Sequence, residues 1–193
     1  MRIMINIVGG TLRGRKLQVP PGDQVRPTVN RVRQAIFNVL HHLLYFEDHV
    51  VLDLYAGTGA LGIEALSWGA NCVYFIEPVA SVRRVLQQNL EHLDLVKQGV
   101  SLIPATATRW LPQFRNEGSP CLIFVDPPYL QGEYEQILPL IANHVSIPKK
   151  SLVVVESPKR LDYPVPSGLE LIKSKHYGNV NVHFYEVTGQ GRK

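Results

Sequence analysis

The sequence predicts an α/β protein: a doubly wound, mostly parallel sheet closed by an antiparallel hairpin near its C-terminus. Two observations carry this expectation. From residue 50 onward, short continuous apolar runs alternate with helical patterns, as in parallel sheets covered on both faces. Further on, Leu169–Tyr177 and Val182–Thr188 are joined only by Gly178-Asn179. That link is too short for a parallel crossover, so the last strand is expected to run antiparallel. The 193 residues, 45% hydrophobic and 19% charged, suffice for one sizeable core. Ordinary apolar content and a net charge of +4 exclude a disordered chain. Cys72 and Cys121 form no CxxC pair and no disulfide framework, which points to a reduced, cytoplasmic protein. The N-terminus lacks the charged-then-apolar order of a secretory signal, and Val50–Ala70 is interrupted by Asp53 and Glu64, so no membrane span is expected.

The elements follow in order. Arg2–Val8 and Leu12–Val19 are β-like runs around Gly9-Gly10, predicting a small hairpin with its turn at the glycines. Thr28 can cap a helix whose apolar positions Val32, Ile36, Val39, Leu40 and Leu43 keep helical spacing. Residues 1–28 are therefore set apart as a basic arm, and residues 29–193 as the main domain. Within the domain, strands are expected at 50–54, 72–76, 100–103, 122–125 and 152–155. Helices are expected at 60–67, 79–93, 107–111 and 134–143.

Charge is uneven. Residues 1–34 hold Arg2, Arg13, Arg15, Lys16, Arg26, Arg31 and Arg33 against Asp23 alone, a local net of +6 that leaves the remainder at −2. Such a segment suits an anionic partner such as nucleic acid, although a solvated basic hairpin fits equally well on charge alone.

Two motifs carry chemistry. Asp53-Leu54-Tyr55-Ala56-Gly57-Thr58-Gly59-Ala60-Leu61-Gly62 follows a strand and opens a helix, where backbone N–H groups face a ligand. Glu77 ends the next strand, placed to hold two ribose hydroxyls. This spacing alone also fits NAD. Asp53 favours S-adenosylmethionine, because a carboxylate here repels a pyrophosphate and suits a sulfonium and an ammonium. Asp126-Pro127-Pro128-Tyr129 follows the fourth strand. Two prolines stiffen the backbone and remove its donors. Asp126 and the Pro127 carbonyl can then accept both hydrogens of a planar exocyclic amine, with Tyr129 stacking on a base that has been unstacked or flipped out.

These motifs resemble the class I amino-methyltransferases. With Gly9-Gly10, Arg13-Gly14-Arg15-Lys16-Leu17, Pro20, Arg26-Pro27-Thr28 and Arg31-Val32-Arg33, the chain is similar, from Ile5 to about Glu186, to the ribosomal small-subunit methyltransferase D family. The resemblance implies a Rossmann-like class I fold and S-adenosyl-L-methionine-dependent methylation of the N2 amine of a guanine in 16S ribosomal RNA. It implies Asp126, Pro127, Pro128 and Tyr129 as catalytic residues. Asp53, Tyr55, Ala56, Gly57, Thr58, Gly59, Glu77, Pro78, Thr106 and Ala107 would bind cofactor, and Arg13, Arg15, Lys16, Arg26, Thr28, Arg31 and Arg33 would bind RNA. Arg31 and Arg33 could instead pair with the domain or reach the cofactor carboxylate. Asn30 and Gln34 replace acidic residues of the family pattern, and Tyr129 a common phenylalanine. Thr106 stands where related enzymes carry Asp or Asn, so the adenine contact passes to the Ala107 backbone. A monomer without metal is expected. DNA adenine-N6 methylation is the nearest alternative, followed by protein-glutamine methylation and by non-catalytic RNA binding. His41-His42 lack a third ligand, Trp68 and Trp110 read as core or rim, and Glu156 as a supporting residue on the active edge.

Overall fold

The computed structural model describes residues 4–20, 27–97, 99–128 and 132–189, with backbone alone for 27–29. Tyr129 and Arg26 lie outside the described residues, as does the side chain of Thr28. An N-terminal ribbon pairs β1 (Met4–Asn6) antiparallel with β2 (Lys16–Gln18), and α1 (Pro27–Leu40) follows. The alternating units are β3 (Val50–Asp53), α2 (Ala60–Ser67), β4 (Cys72–Ile76), α3 (Ala80–His92), β5 (Val100–Ile103) and α4 (Ala107–Trp110). Then come β6 (Cys121–Val125), α5 (Glu133–Ala142), β7 (Leu152–Pro158), β8 (Leu169–Tyr177) and β9 (Val180–Val187).

Seven strands form one sheet in the order β5-β4-β3-β6-β7-β9-β8. The first five are parallel, while β9 runs antiparallel to both β7 and β8. The expected terminal hairpin is therefore present, with its second strand inserted inside the sheet. Strand order reverses between β3 and β6, and the C-terminal ends of these strands border the crevice where such sheets take ligands.

Side-chain alternation gives the sheet two apolar faces. One, including Val51, Phe75, Phe124 and Val154, packs against α1, α2, α3 and the ribbon. The other, including Leu52, Ile123, Val153 and Tyr185, packs against α4 and α5. Cys121 is buried, which pushes its thiol up to about 12.

The ribbon differs from the expected hairpin. Its strands are only three residues each, and Gly9-Gly10 is not their turn. The connection closes instead where Ile7 donates to the Arg15 carbonyl at 2.9 Å and Gly14 to the Ile7 carbonyl at 2.9 Å. The two glycines dock the loop on α2. A Cβ at Gly9 would lie 2.3 Å from the Trp68 ring, and one at Gly10, where φ is +70, only 1.9 Å from the Ser67 carbonyl oxygen. Ile5, Ile7 and Leu17 join the same core as α1 and α2. The ribbon thus packs as part of the main body and shares its core.

Candidate active site

Each strand end along the crevice delivers one polar group. Asp53 closes β3 and is buried at 2% exposure. Its Oδ2 accepts the N–H of Gly62 at 2.9 Å, serving the open N-terminus of α2 from outside the helix. Burial drives this carboxyl up to about 7, with Asp126 and Glu77 adding repulsion against the Gly62 hydrogen bond. Glu77, buried just past β4, accepts from the Gly57 N–H at 3.1 Å and the Val79 N–H at 2.8 Å, which fixes the glycine loop to the neighbouring strand. Pro78 is exposed beside it, and Arg83 donates to the Glu77 and Pro78 carbonyls at 2.8 and 2.7 Å. Past β5, Thr106 is exposed at the start of α4 while Ala107 is buried.

The glycines of the loop do different work. A Cβ on Gly59 would strike Leu86 of α3 at 2.2 Å and one on Gly62 the Phe75 ring of β4 at 2.3 Å, so the first lets the loop pack on α3 and the second lets α2 approach the sheet. Gly57 has φ +52, and a Cβ there would meet nothing nearer than the Tyr55 carbonyl oxygen at 4.0 Å, which leaves space beside its backbone. Ala56 is buried and Thr58 half-buried between these positions.

Across the switch point, Asp126 and Pro128 are exposed and Pro127 is buried. Asp126 is exposed, yet desolvation by the protein around it pushes its carboxyl up to about 6. The β6–β7 pairing of Val125 with Val155 places Asp126 and Glu156 at consecutive, side-by-side positions. Burial raises the Glu156 carboxyl well above its usual range, as does the charge of Asp126, against the opposing pull of Arg33. Tyr55 spans the crevice, donating to Glu133 Oε2 at 3.0 Å, and so ties the glycine loop to the start of α5.

The basic residues divide. Arg13, Arg15, Lys16 and Arg31 are exposed, and Arg15 also donates to the His92 carbonyl at 3.2 Å. Arg33 is 3% exposed, its Nε 3.2 Å from Glu64 Oε2, and it donates to the carbonyl of Asn6 and to Asn30 Oδ1. Burial removes Arg33 from the expected RNA contacts and fits the alternative stated for it, pairing with the domain: its charge is spent inside the body. Glu64 in turn accepts from the Val8 and Gly9 N–H groups.

Sequence reasoning missed Asn89. This buried side chain accepts from the Gln18 N–H at 2.7 Å and donates to the Gln18 and Thr58 carbonyls at 3.0 and 3.1 Å, joining β2 to the glycine loop. Its signal was available: Asn89 falls in phase with the apolar stripe of α3 set by Val82, Val85, Leu86 and Leu90. A polar residue in such a stripe needs partners. His41 and His42 are exposed, and among the described residues no group of His, Cys, Asp and Glu is arranged to hold a metal.

Residues 5–186 match the family model described as Conserved hypothetical protein 95. The chain is 37% identical over 190 residues to Ribosomal RNA small subunit methyltransferase D of Escherichia coli (strain K12), covering 97% of this chain and 92% of that protein. It is 30% identical over 187 residues to Putative rRNA methyltransferase YlbH of Bacillus subtilis (strain 168), covering 96% and 100%. The solved structure of Putative methyltransferase yhhF from Escherichia coli superposes with a TM-score of 0.83 at 33% identity, covering 97% of this chain and all of that one. Sequence and fold agree over nearly the full length, and the chain belongs to the Conserved hypothetical protein 95 family, the family of ribosomal RNA small subunit methyltransferase D.

Proposed function

We propose that this protein transfers the methyl group of S-adenosylmethionine to the exocyclic N2 amine of a guanine in 16S ribosomal RNA. The observation that carries the reading is the pairing, across the switch point, of a carboxylate-lined glycine loop with Asp126-Pro127-Pro128. The crevice residues fit the cofactor. Asp53, Glu77 and Asp126 gather negative charge at one strand edge, and burial makes this costly until a cation arrives. A ligand with a sulfonium, an ammonium and no phosphate answers that demand. When bound, it supplies an electrophilic methyl group.

The protein's part is placement. Glu77 offers its remaining lone pairs to ribose hydroxyls, and the space beside Gly57 admits the ligand against the backbone. Ala107 faces the adenine end of the crevice, beside Thr106. Asp126 and the Pro127 carbonyl accept the two amine hydrogens, turning the nitrogen lone pair toward the methyl group, and Tyr129 stacks on the target base. Holding the reactants in line replaces acid–base chemistry as the main source of rate. Arg13, Arg15, Lys16 and Arg31 lie exposed for RNA phosphates, with Arg26 and Thr28 as further contacts.

The test is incubation with methyl-labelled S-adenosylmethionine and, separately, hypomethylated small subunits, naked ribosomal RNA and DNA. Label on guanine N2 of 16S RNA is expected. Label on DNA adenine, or in no nucleic acid, overturns the reading.

A further inference from the structure

Beyond β7, the 159–165 segment and the face of β9 enclose a cavity of about 340 Å³ lined by Lys159, Arg160, Tyr163, Asn181, His183 and Tyr185. Its place is informative. The C-terminal end of β7 lies on the same sheet edge as Asp126, and its Val155 and Ser157 pair with His183 and Asn181 of β9. Strand β9 is thus two strands from β6, roughly 10 Å away. The cavity also shares a wall with the segment following the Asp126 loop. Tyr163 stacks on Tyr134 of α5 at 4.8 Å, and the Tyr134 hydroxyl donates to the Glu156 carbonyl at 2.8 Å.

The lining has the chemistry of a nucleotide site. Lys159 and Arg160 are exposed at the mouth, where mobile cations meet a phosphate. Deeper in, the Tyr163 and Tyr185 hydroxyls meet at 3.2 Å, and burial keeps both phenols protonated. Burial and the neighbouring His176 push the His183 imidazole below its usual range, so it is neutral and offers a hydrogen bond instead of a charge. Its Nδ1 is engaged by the Ser174 hydroxyl at 3.1 Å, leaving Nε2 for a ligand. A half-buried imidazole ring above a buried tyrosine floor, with neutral hydrogen-bonding groups, suits an unstacked RNA base.

We infer that this cavity holds a nucleotide flanking the methylated base, its phosphate on Lys159 and Arg160 and its base against the His183 ring, over a floor formed by the buried Tyr163 and Tyr185. The inference rests on the reading of the protein as an RNA methyltransferase, and it adds a second contact surface on the opposite side of the crevice from the N-terminal ribbon.

The experiment uses the full chain with hypomethylated small subunits across a salt series. Lys159→Ala with Arg160→Ala is expected to raise KM roughly tenfold, as lost charged contacts do, with kcat within about twofold of wild type. The log–log salt slope should shrink by about 0.7–0.9 for each phosphate contact removed. Tm and S-adenosylmethionine affinity should not move. Asp162 also lines the mouth, so Asp162→Asn should act in the opposite direction and lower KM. Substrate carrying 4-thiouridine beside the target guanine should crosslink within 159–163 or 181–185. Unchanged KM and slope in the double variant, a loss expressed in Tm, or crosslinks confined elsewhere would each overturn the inference. Wild-type labelling of the RNA separates the cases: without it the functional reading fails and this inference with it, whereas with it those outcomes overturn the inference alone.

Discussion

Asp53 binds the Gly62 N–H with one oxygen, while its surroundings hold the carboxyl near 7 instead of 3.8. A carboxyl raised in the folded state keeps its proton longer than in the unfolded chain, so folding stability falls as pH rises from about 4 to about 7 and is flat above. Asn at this position keeps an acceptor for Gly62 and removes the charge. Asp53→Asn is therefore expected to stabilise the cofactor-free protein at pH 8 by roughly 1–3 kcal/mol while weakening S-adenosylmethionine binding, to be read by urea melts and calorimetry. Asp126 gives a second test. Asp126→Ala should reduce turnover by about 10²–10³ with cofactor affinity nearly intact, on the scale of losing one preorganised partner. The amine needs the ionised acceptor, so wild-type kcat/KM should rise with pH through about 6. Asp126→Asn accepts at every pH and should flatten that limb in a pH–rate profile, even if slower.

Among the elements, the backbone of the N-terminal segment is held by the Glu64 and Ser67 side chains of α2 and by the Ser67 carbonyl, which is why small changes there should be costly. Gly10→Ala meets the Ser67 carbonyl in addition to a left-handed φ, and is expected to destabilise by more than about 2 kcal/mol. Gly14→Ala faces open space at φ +84 and should cost only about 1 kcal/mol. Thermal melts of the pair separate docking from turn geometry. Asn89→Asp keeps the acceptor for Gln18 but loses both donations, so hydrogen exchange at Gln18 should quicken and cofactor affinity drop as Thr58 loosens. These contacts also show what a sequence can convey. Helix 60–67 and strands 72–76, 100–103 and 169–177 are legible to the residue, because apolar runs, glycines and turn pairs act locally. The placement of Asp53 at the end of β3 and of Asp126 just past β6 is legible too, since each closes its own apolar run. The docking role of Gly9-Gly10 is not, because the groups it meets are more than fifty positions away, and local signals favour a turn. Arg33 is a similar case: its charge leaves RNA and the domain both open as partners, and only Glu64, from another helix, decides for the domain.

In the whole molecule, the two kinds of arginine predict different failures. Arg13, Arg15 and Lys16 are exposed, so their joint replacement by Ala should lower the salt slope of RNA binding without moving Tm. Arg33→Ala leaves Glu64 buried without its counter-charge and should cost about 3–5 kcal/mol in stability. Chemical denaturation and subunit binding on the same two variants distinguish an interface from a strut. The placement of β9 has a further consequence, for the order in which the chain can assemble. Because β9 lies between β7 and β8, β7 has only its inner partner β6, and β8 has no partner at all, until residues 180–187 are available. A growing chain therefore carries Val153, Val154 and Val155 along an unfinished border, and β8 has no place to dock until the segment after it folds back. Nascent chains halted before residue 180 should be cleaved rapidly by protease, and those extended past residue 187 should resist, so that protection arrives in one late step instead of strand by strand.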